Sequence, residues 1–285
     1  MRIWLALAAA FLGMHTAPVL AERDPRSGAA LPVNHKRVIP SPITDRFYVR
    51  GTFYSPAVNT GLHVNPHNPP PGVSGTAVNA ERDLGLNSRL YQGRMELMFR
   101  LRERNRLRVD FLEVDRSGDH LLSRTIVFGD ETFFTNDRTL SSLDWRMFGL
   151  TYTYSLYRGE RVEIGTGFGL HLLQAYAKGE VPARQERQEV SGAGAFPTIP
   201  IDLTWRISSR FAFTARGQYL RASVSDTNGW LADIHEDVQY RWKPNFAVGV
   251  GYSVLRAALS LHSSTFPGGF QFSLKGPDAF FRVSF

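Results

Sequence analysis

Past residue 45 the chain alternates apolar and polar side chains with a period of two. Past residue 21 no apolar run reaches the roughly 18 residues that a membrane helix needs. The alternation is clearest around Arg158-Gly159-Glu160. Before this turn Phe148, Leu150, Tyr152, Tyr154 and Leu156 share one face, and Gly149, Thr151, Thr153 and Ser155 share the other. After it Val162, Ile164, Thr166, Phe168, Leu170 and Leu172 alternate with Glu163, Gly165, Gly167, Gly169 and His171. A helix would scatter these apolar side chains round its circumference, whereas a strand collects them on one side.

Three further hairpins repeat the plan. Met95, Leu97, Phe99 and Leu101 precede a turn near Glu103-Arg104-Asn105, and Leu107, Val109 and Phe111 follow it. Ile199, Ile201, Leu203 and Trp205 precede Ser208-Ser209, and Phe211, Phe213 and Ala215 follow. Val238, Tyr240 and Trp242 precede Lys243-Pro244-Asn245, and Phe246, Val248, Val250 and Tyr252 follow. Short polar turns at one end and long Gly-, Pro-, Asn- and Asp-rich connections at the other (55–88, 117–142, 177–197, 226–233, 264–271) are a membrane barrel's pattern. With a first strand over 45–54 and a last over 272–285, the chain reads as all-β. It is expected to be a transmembrane antiparallel up-and-down β-barrel of about ten strands, with eight to twelve compatible. Segment 122–134, with Ile126 and Phe128, reads either as an extra strand or as a tall extension.

Charge decides which face meets lipid, because an Arg or Lys at the bilayer midplane costs about 2–4 kcal/mol. The stripes holding Arg94, Glu96 and Arg100, Arg108 with Asp110, Glu163, Asp202 with Arg206, Arg216, Arg241 and Arg282 must therefore point inward. The opposite stripes are nearly free of charge. Tyr91, Tyr157, Trp205, Tyr219, Trp242 and Phe246 lie near strand ends, where aromatic girdles meet head groups. The expected surroundings are outer-membrane lipids and lipopolysaccharide.

The N-terminus fits export. Arg2 precedes an apolar stretch over Ile3 to Met14, and Val19-Leu20-Ala21 offers small residues for cleavage, so 1–21 reads as a signal peptide. Residues 22–44, with Pro25, Pro32, Pro40 and Pro42, read as a flexible periplasmic lead-in, and 45–285 as the barrel with no second domain. The absence of cysteine removes disulfides, thiolate metal sites and cysteine nucleophiles, and suits an oxidising periplasm. The formal charge of +7 is spread along strands and turns, which speaks against nucleic acid and for basic rims at anionic head groups.

The last strand reads Phe280-Phe281-Arg282-Val283-Ser284-Phe285. Phe281, Val283 and the terminal Phe285 resemble the assembly signal of bacterial outer-membrane barrels, although that signal often has Gly where Phe280 stands. The resemblance implies handling by periplasmic chaperones and by the barrel assembly machinery. Four stretches are similar to a little-characterised group of proteobacterial outer-membrane β-barrel proteins, over most of the mature chain. They are Glu81-Arg82-Asp83-Leu84-Gly85-Leu86, Val127-Phe128-Gly129-Asp130-Glu131-Thr132-Phe133, Gly149 to Ser155, and Asp237-Val238-Gln239-Tyr240-Arg241-Trp242. This likeness implies fold and place in the envelope and brings no activity with it.

Candidate sites are few. His262-Ser263-Ser264 sets a His and a Ser on one face of a strand, with Asp278 the only acidic partner downstream. The spacing slightly resembles lipid A 3-O-deacylases. Asp119-His120 and Asp144 faintly suggest an omptin-like protease. His63 and His67 have helical spacing, but the prolines at 66 and 69–71 forbid a helix there. Asp130, Glu131 and Asp137 lack a calcium-loop pattern. No metal set and no cofactor is expected. The inward charges read as a pairing network or as the lining of a narrow pore or pocket. Gly165, Gly167 and Gly169, with Gly249 and Gly251, leave either space or curvature. The expected role is structural, surface-interacting or porin-like for small solutes, the alternative being an outer-membrane enzyme.

Overall fold

The computed structural model describes residues 40–66, 74–224, 227–261 and 268–285. In chain order the strands are β1 (Phe47–Tyr54), β2 (Ala57–Val64), β3 (Val78–Asn79), β4 (Gln92–Arg102), β5 (Asn105–Leu121), β6 (Ile126–Phe128) and β7 (Glu131–Phe133). They continue as β8 (Arg138–Arg158), β9 (Val162–Val181), β10 (Glu186–Arg206), β11 (Phe211–Val224), β12 (Thr227–Lys243), β13 (Phe246–Leu261) and β14 (Gly268–Ser284). One short helix, α1 (Ala80–Asp83), follows β3.

Ten of these strands close antiparallel in the order β1-β4-β5-β8-β9-β10-β11-β12-β13-β14, with β14 returning to β1 through Tyr48↔Ser284 to Tyr54↔Asp278. The seam is sealed by the last residue: Phe285 N–H donates to Phe47 O at 2.8 Å, and Phe47 N–H donates to Phe285 O at 3.1 Å. Pro56 interrupts the first strand, and the chain resumes as β2, which pairs with the first half of β14 from Gly268↔Val64 to Lys275↔Ala57. The four expected short turns all occur where the sequence placed them. Residues 40–44 form a turn closed by Thr44 N–H to Ser41 O, 3.0 Å, with Ile43 buried. That end of the expected lead-in is therefore folded, and residues 1–39 lie outside the described residues.

The far-end connections differ from expectation. Segment 57–64 is strand, and β9 and β10 run on to meet at a single turn over Pro182–Arg184. β12 starts at Thr227 and β14 at Gly268. Segment 122–134 folds as a separate two-stranded ribbon, β6 on β7. The Gly-, Ala- and Ser-rich run 191–195 looks like loop by composition, but pairing with β9 from Ser191↔Tyr176 to Ala195↔Leu172 holds it extended. Tertiary pairing overrides weak strand propensity. β8 and β10 have 21 residues each, about twice the 9–11 that a tilted strand needs to cross a membrane.

The polarity of the wall explains the extra length. Near the short turns the outward stripe is apolar: Leu107, Val109 and Phe111 on β5, and Phe148, Leu150 and Tyr152 on β8. At Glu113 and Arg146 it turns charged, and these two pair at 2.6 Å. Arg221, Arg256 and Lys275 mark the same change on β11, β13 and β14. The inward stripe inverts in the opposite sense. On β5 it passes from Arg106, Arg108 and Asp110 to Leu112 and Val114, and on β8 from Thr153, Thr151 and Gly149 to Met147, Trp145 and Leu143. Trp145 is fully buried and packs on Phe272 at 4.6 Å. Leu62, Val78, Leu122, Ile126, Phe128 and Phe133 close this apolar tier from β2, β3 and the β6–β7 segment. Within the apolar belt, among the described residues, one outward charge stands alone: Glu236, exposed between Ile234 and Val238.

Candidate functional site

The chemistry-bearing side chains converge inside the belt. Strand parity sends every second residue of β1, β4, β5, β12 and β14 inward, where a charge must find a partner. Nearest the short turns, Asp45 Oδ2 accepts from Arg241 Nη2 at 2.6 Å and from Arg282 Nη2 at 2.5 Å. Arg100 donates both Nη atoms to Glu163, at 2.7 and 2.9 Å. Arg108 donates to Asp202 at 2.9 Å, and Arg106 lies 3.4 Å from the same oxygen. Glu96 accepts from Arg216 at 2.6 Å and from the Tyr48 hydroxyl. Arg50 donates to Asp237 at 2.6 Å and stacks on the Phe280 ring, 3.6 Å from its centroid.

One level further up, Arg94 Nη2 donates to both Asp110 and Asp233, 2.8 Å each. His235 reaches Asp233 through Nε2 at 2.9 Å and Ser253 Oγ through Nδ1 at 2.7 Å. Ser253 in turn donates to Asp278. Directly above lie Leu112, Met147, Leu231 and Leu255, where the interior turns apolar.

Of the inward charges named from sequence, Arg94, Glu96, Arg100, Arg108, Asp110, Glu163, Asp202, Arg216, Arg241 and Arg282 thus all point inward and are ion-paired, in three clusters. Arg206 stands half-buried near the short turns and enters no ion pair among the described residues. Sequence reasoning did not single out Arg106, Asp233, His235 and Asp237, although they share a parity with residues it named, nor Arg50, on whose strand it named no inward residue; His171 it placed on the polar face without giving it a role. Asp45 precedes its strand, so no alternation marks it.

The inner-wall glycines leave no channel. A Cβ on Gly165 would meet Arg106 Nη2 at 2.7 Å, and one on Gly249 would meet Phe280 at 2.3 Å. Their room is already filled. Cavities among the described residues include ones of about 30, 20 and 10 Å³, the smallest barely the size of one water.

The enzymatic candidates are dispersed. His262 and Ser264 lie outside the described residues, as does His67. Asp278 is buried in the interior, bound by Ser253 and 3.8 Å from Arg50. Asp119 pairs with Arg138 at 2.6 Å on the outer wall, His120 packs against Gly85, and Asp144 stands opposite Asp115. Asp137 pairs with Arg184 at 2.5 Å. Phe281, Val283 and Phe285 follow the outward parity of β14, with Phe281 beside Phe246 and Phe285 beside Phe47, ring centroids 5.9 Å apart in each pair.

At the far end α1 is fixed by charge. Asn79 caps it by accepting from Arg82 N–H at 2.9 Å. Burial pushes the Asp83 carboxyl up, but hydrogen bonds from Arg82, the Asn79 N–H and Arg124 outweigh it and hold the pKa at about 2.

A closed antiparallel barrel with an apolar girdle and an ion-paired interior is a β-barrel of the outer-membrane type. Its fold matches the outer-membrane protease OmpT of Escherichia coli with a TM-score of 0.53 over 84% of this chain and 96% of that one, at 10% identity. The attachment invasion locus protein Ail of Yersinia pestis aligns over 83% of this chain and 98% of its own at 8% identity, with a TM-score of only 0.37. No family model and no curated protein matches the sequence.

Proposed function

We propose that this chain is an integral protein of the outer membrane of a Gram-negative bacterium, with a closed barrel and a structural and surface-interaction role. The observation that carries the reading is an interior occupied at both levels, by ion pairs within the belt and by apolar side chains beyond it. Charges of both signs satisfy one another across the lumen, so little free field remains to draw a solute through. The far end, with its rigid paired walls and a mixed-charge exterior, suits contact with lipopolysaccharide or with another surface. In this reading the apolar belt meets outer-membrane lipid, and Phe281, Val283 and Phe285 serve recognition by the barrel assembly machinery after delivery by periplasmic chaperones.

The porin-like reading has the cavities against it. The protease reading has against it that the buried His–Asp set lies beneath an apolar tier that a peptide cannot enter. Planar-bilayer recording of the purified protein tests closure. The expected result is no channel events above background, and reproducible unitary conductance would overturn the reading.

A further inference from the structure

Three polar side chains converge just below the apolar tier without forming a complete set of partners. Asp110, Gly149 and His171 are consecutive cross-strand neighbours on β5, β8 and β9. Gly149 lets the two flanking side chains lean together: a Cβ there would lie 2.3 Å from Asp110 Oδ2 and 2.9 Å from the His171 ring. Asp233 reaches the same point from β12, and one ligand atom from each of the three lies within 4.8 Å of the others. Asp110 Oδ2 and His171 Nε2 are both buried and accept or donate no hydrogen bond.

The surrounding hydrogen bonds favour one tautomer of the imidazole. Gln218 Oε1 accepts from Thr151 Oγ1 at 3.3 Å and from Thr198 Oγ1 at 3.1 Å. With its proton committed there, Thr198 Oγ1 can only accept from His171 Nδ1, at 3.5 Å. A proton on Nδ1 would leave the unpartnered Nε2 lone pair free to ligate. Charge points the same way. Asp110 and Asp233 share the single guanidinium of Arg94, and Asp110 Oδ2 is left without a donor in a medium of low dielectric.

We propose that Asp110 Oδ2, His171 Nε2 and the Asp233 carboxylate bind one divalent transition-metal ion of the zinc or manganese class. One imidazole and two carboxylates suit that borderline class. Ligand bonds of about 2.0–2.2 Å set ligand atoms about 3.4 Å apart, so separations of up to 4.8 Å must close by up to about 1 Å on binding, a movement that the absent side chain at Gly149 leaves room for. Thr198 is then a positioning residue, holding the imidazole in its metal-binding tautomer. Sequence spacing cannot reveal such a site, since its ligands stand 61 and 62 residues apart on three strands.

The test is metal analysis by plasma mass spectrometry on the full mature protein extracted from membranes, together with the protein refolded in Co²⁺. About one equivalent of metal per chain and a Co²⁺ absorption band are expected in the wild type. His171→Gln should fall at least tenfold in metal content while keeping the heat-modifiable mobility of a folded barrel. Asp110→Asn should do the same and stands in if the first variant does not fold. Thr198→Val should weaken binding about 10–100-fold. Metal-free wild type with no Co²⁺ band, an imidazolium at His171 by NMR, or full metal retention in a folded His171→Gln would each overturn the proposal.

Discussion

The two halves of the barrel wall obey opposite rules. Near the short turns Leu107, Val109 and Phe111 face outward while Arg106, Arg108 and Asp110 face inward; a few residues on, Glu113 and Asp115 face outward while Leu112 and Val114 face inward. The backbone and its period of two do not change. In the proposed setting only the solvent does: hydrocarbon outside the first half, water outside the second. An inward charge in the first half is held by ion pairs, so removing one partner is costly and replacing both with apolar groups is not. The second half is held by burial and packing, as a water-soluble sandwich would be.

Substitutions can break this contrast, the largest effect first. Trp145→Ala opens a cavity in the apolar tier and should cost about 3–5 kcal/mol in denaturant unfolding from lipid vesicles. Thr151→Ala, three inward positions closer to the short turns on the same strand, should cost only about 1 kcal/mol. Equal losses would contradict a tier-specific core. Next, Phe111→Arg puts a charge on the lipid face and should cost about 2–4 kcal/mol, whereas Asp115→Arg, four residues further on, should change stability by less than about 0.5 kcal/mol.

Acid separates the halves more gently. The folded Asp83 carboxyl, at about 2, is depressed below its ordinary value of 3.8, so its stabilisation is full above about pH 4 and is lost as pH falls through 2. The expected sign is a loss of hydrogen-exchange protection at α1, measured against the intrinsic rate at each pH, between pH 4 and pH 2, on the order of 1 kcal/mol, which Asp83→Asn abolishes. Smallest is Glu236→Leu. Removing the lone charge of the belt should stabilise the barrel by about 1 kcal/mol or less, since a carboxylate costs less there than Arg or Lys. A loss instead would mean that Glu236 has a partner in the membrane.

Sequence reading located the barrel because alternation survives wherever lipid enforces it, as along Phe148 to Leu172. The polar turns at Arg158-Gly159-Glu160 and Lys243-Pro244-Asn245 were legible for the same reason. What it missed has one cause. Beyond Glu113 and Arg146 the pattern continues with inverted sign, and runs such as Ser191 to Ala195 are too small and polar to look like strand. The inward charges could be assigned by parity, strand by strand. Their pairing across the barrel, Arg50 with Asp237 or Arg108 with Asp202, depends on closure and register that no local pattern encodes.

The inversion can be measured on one strand. The chain has no cysteine, so single substitutions at positions 107 to 117 of β5 each give one thiol to probe with a membrane-impermeant maleimide in intact vesicles. The account predicts fast labelling at 113, 115 and 117, and protection at 107, 109 and 111 by lipid and at 112 and 114 by the apolar tier. Labelling of 112 and 114 as fast as 113, or no boundary between 111 and 113, would contradict it.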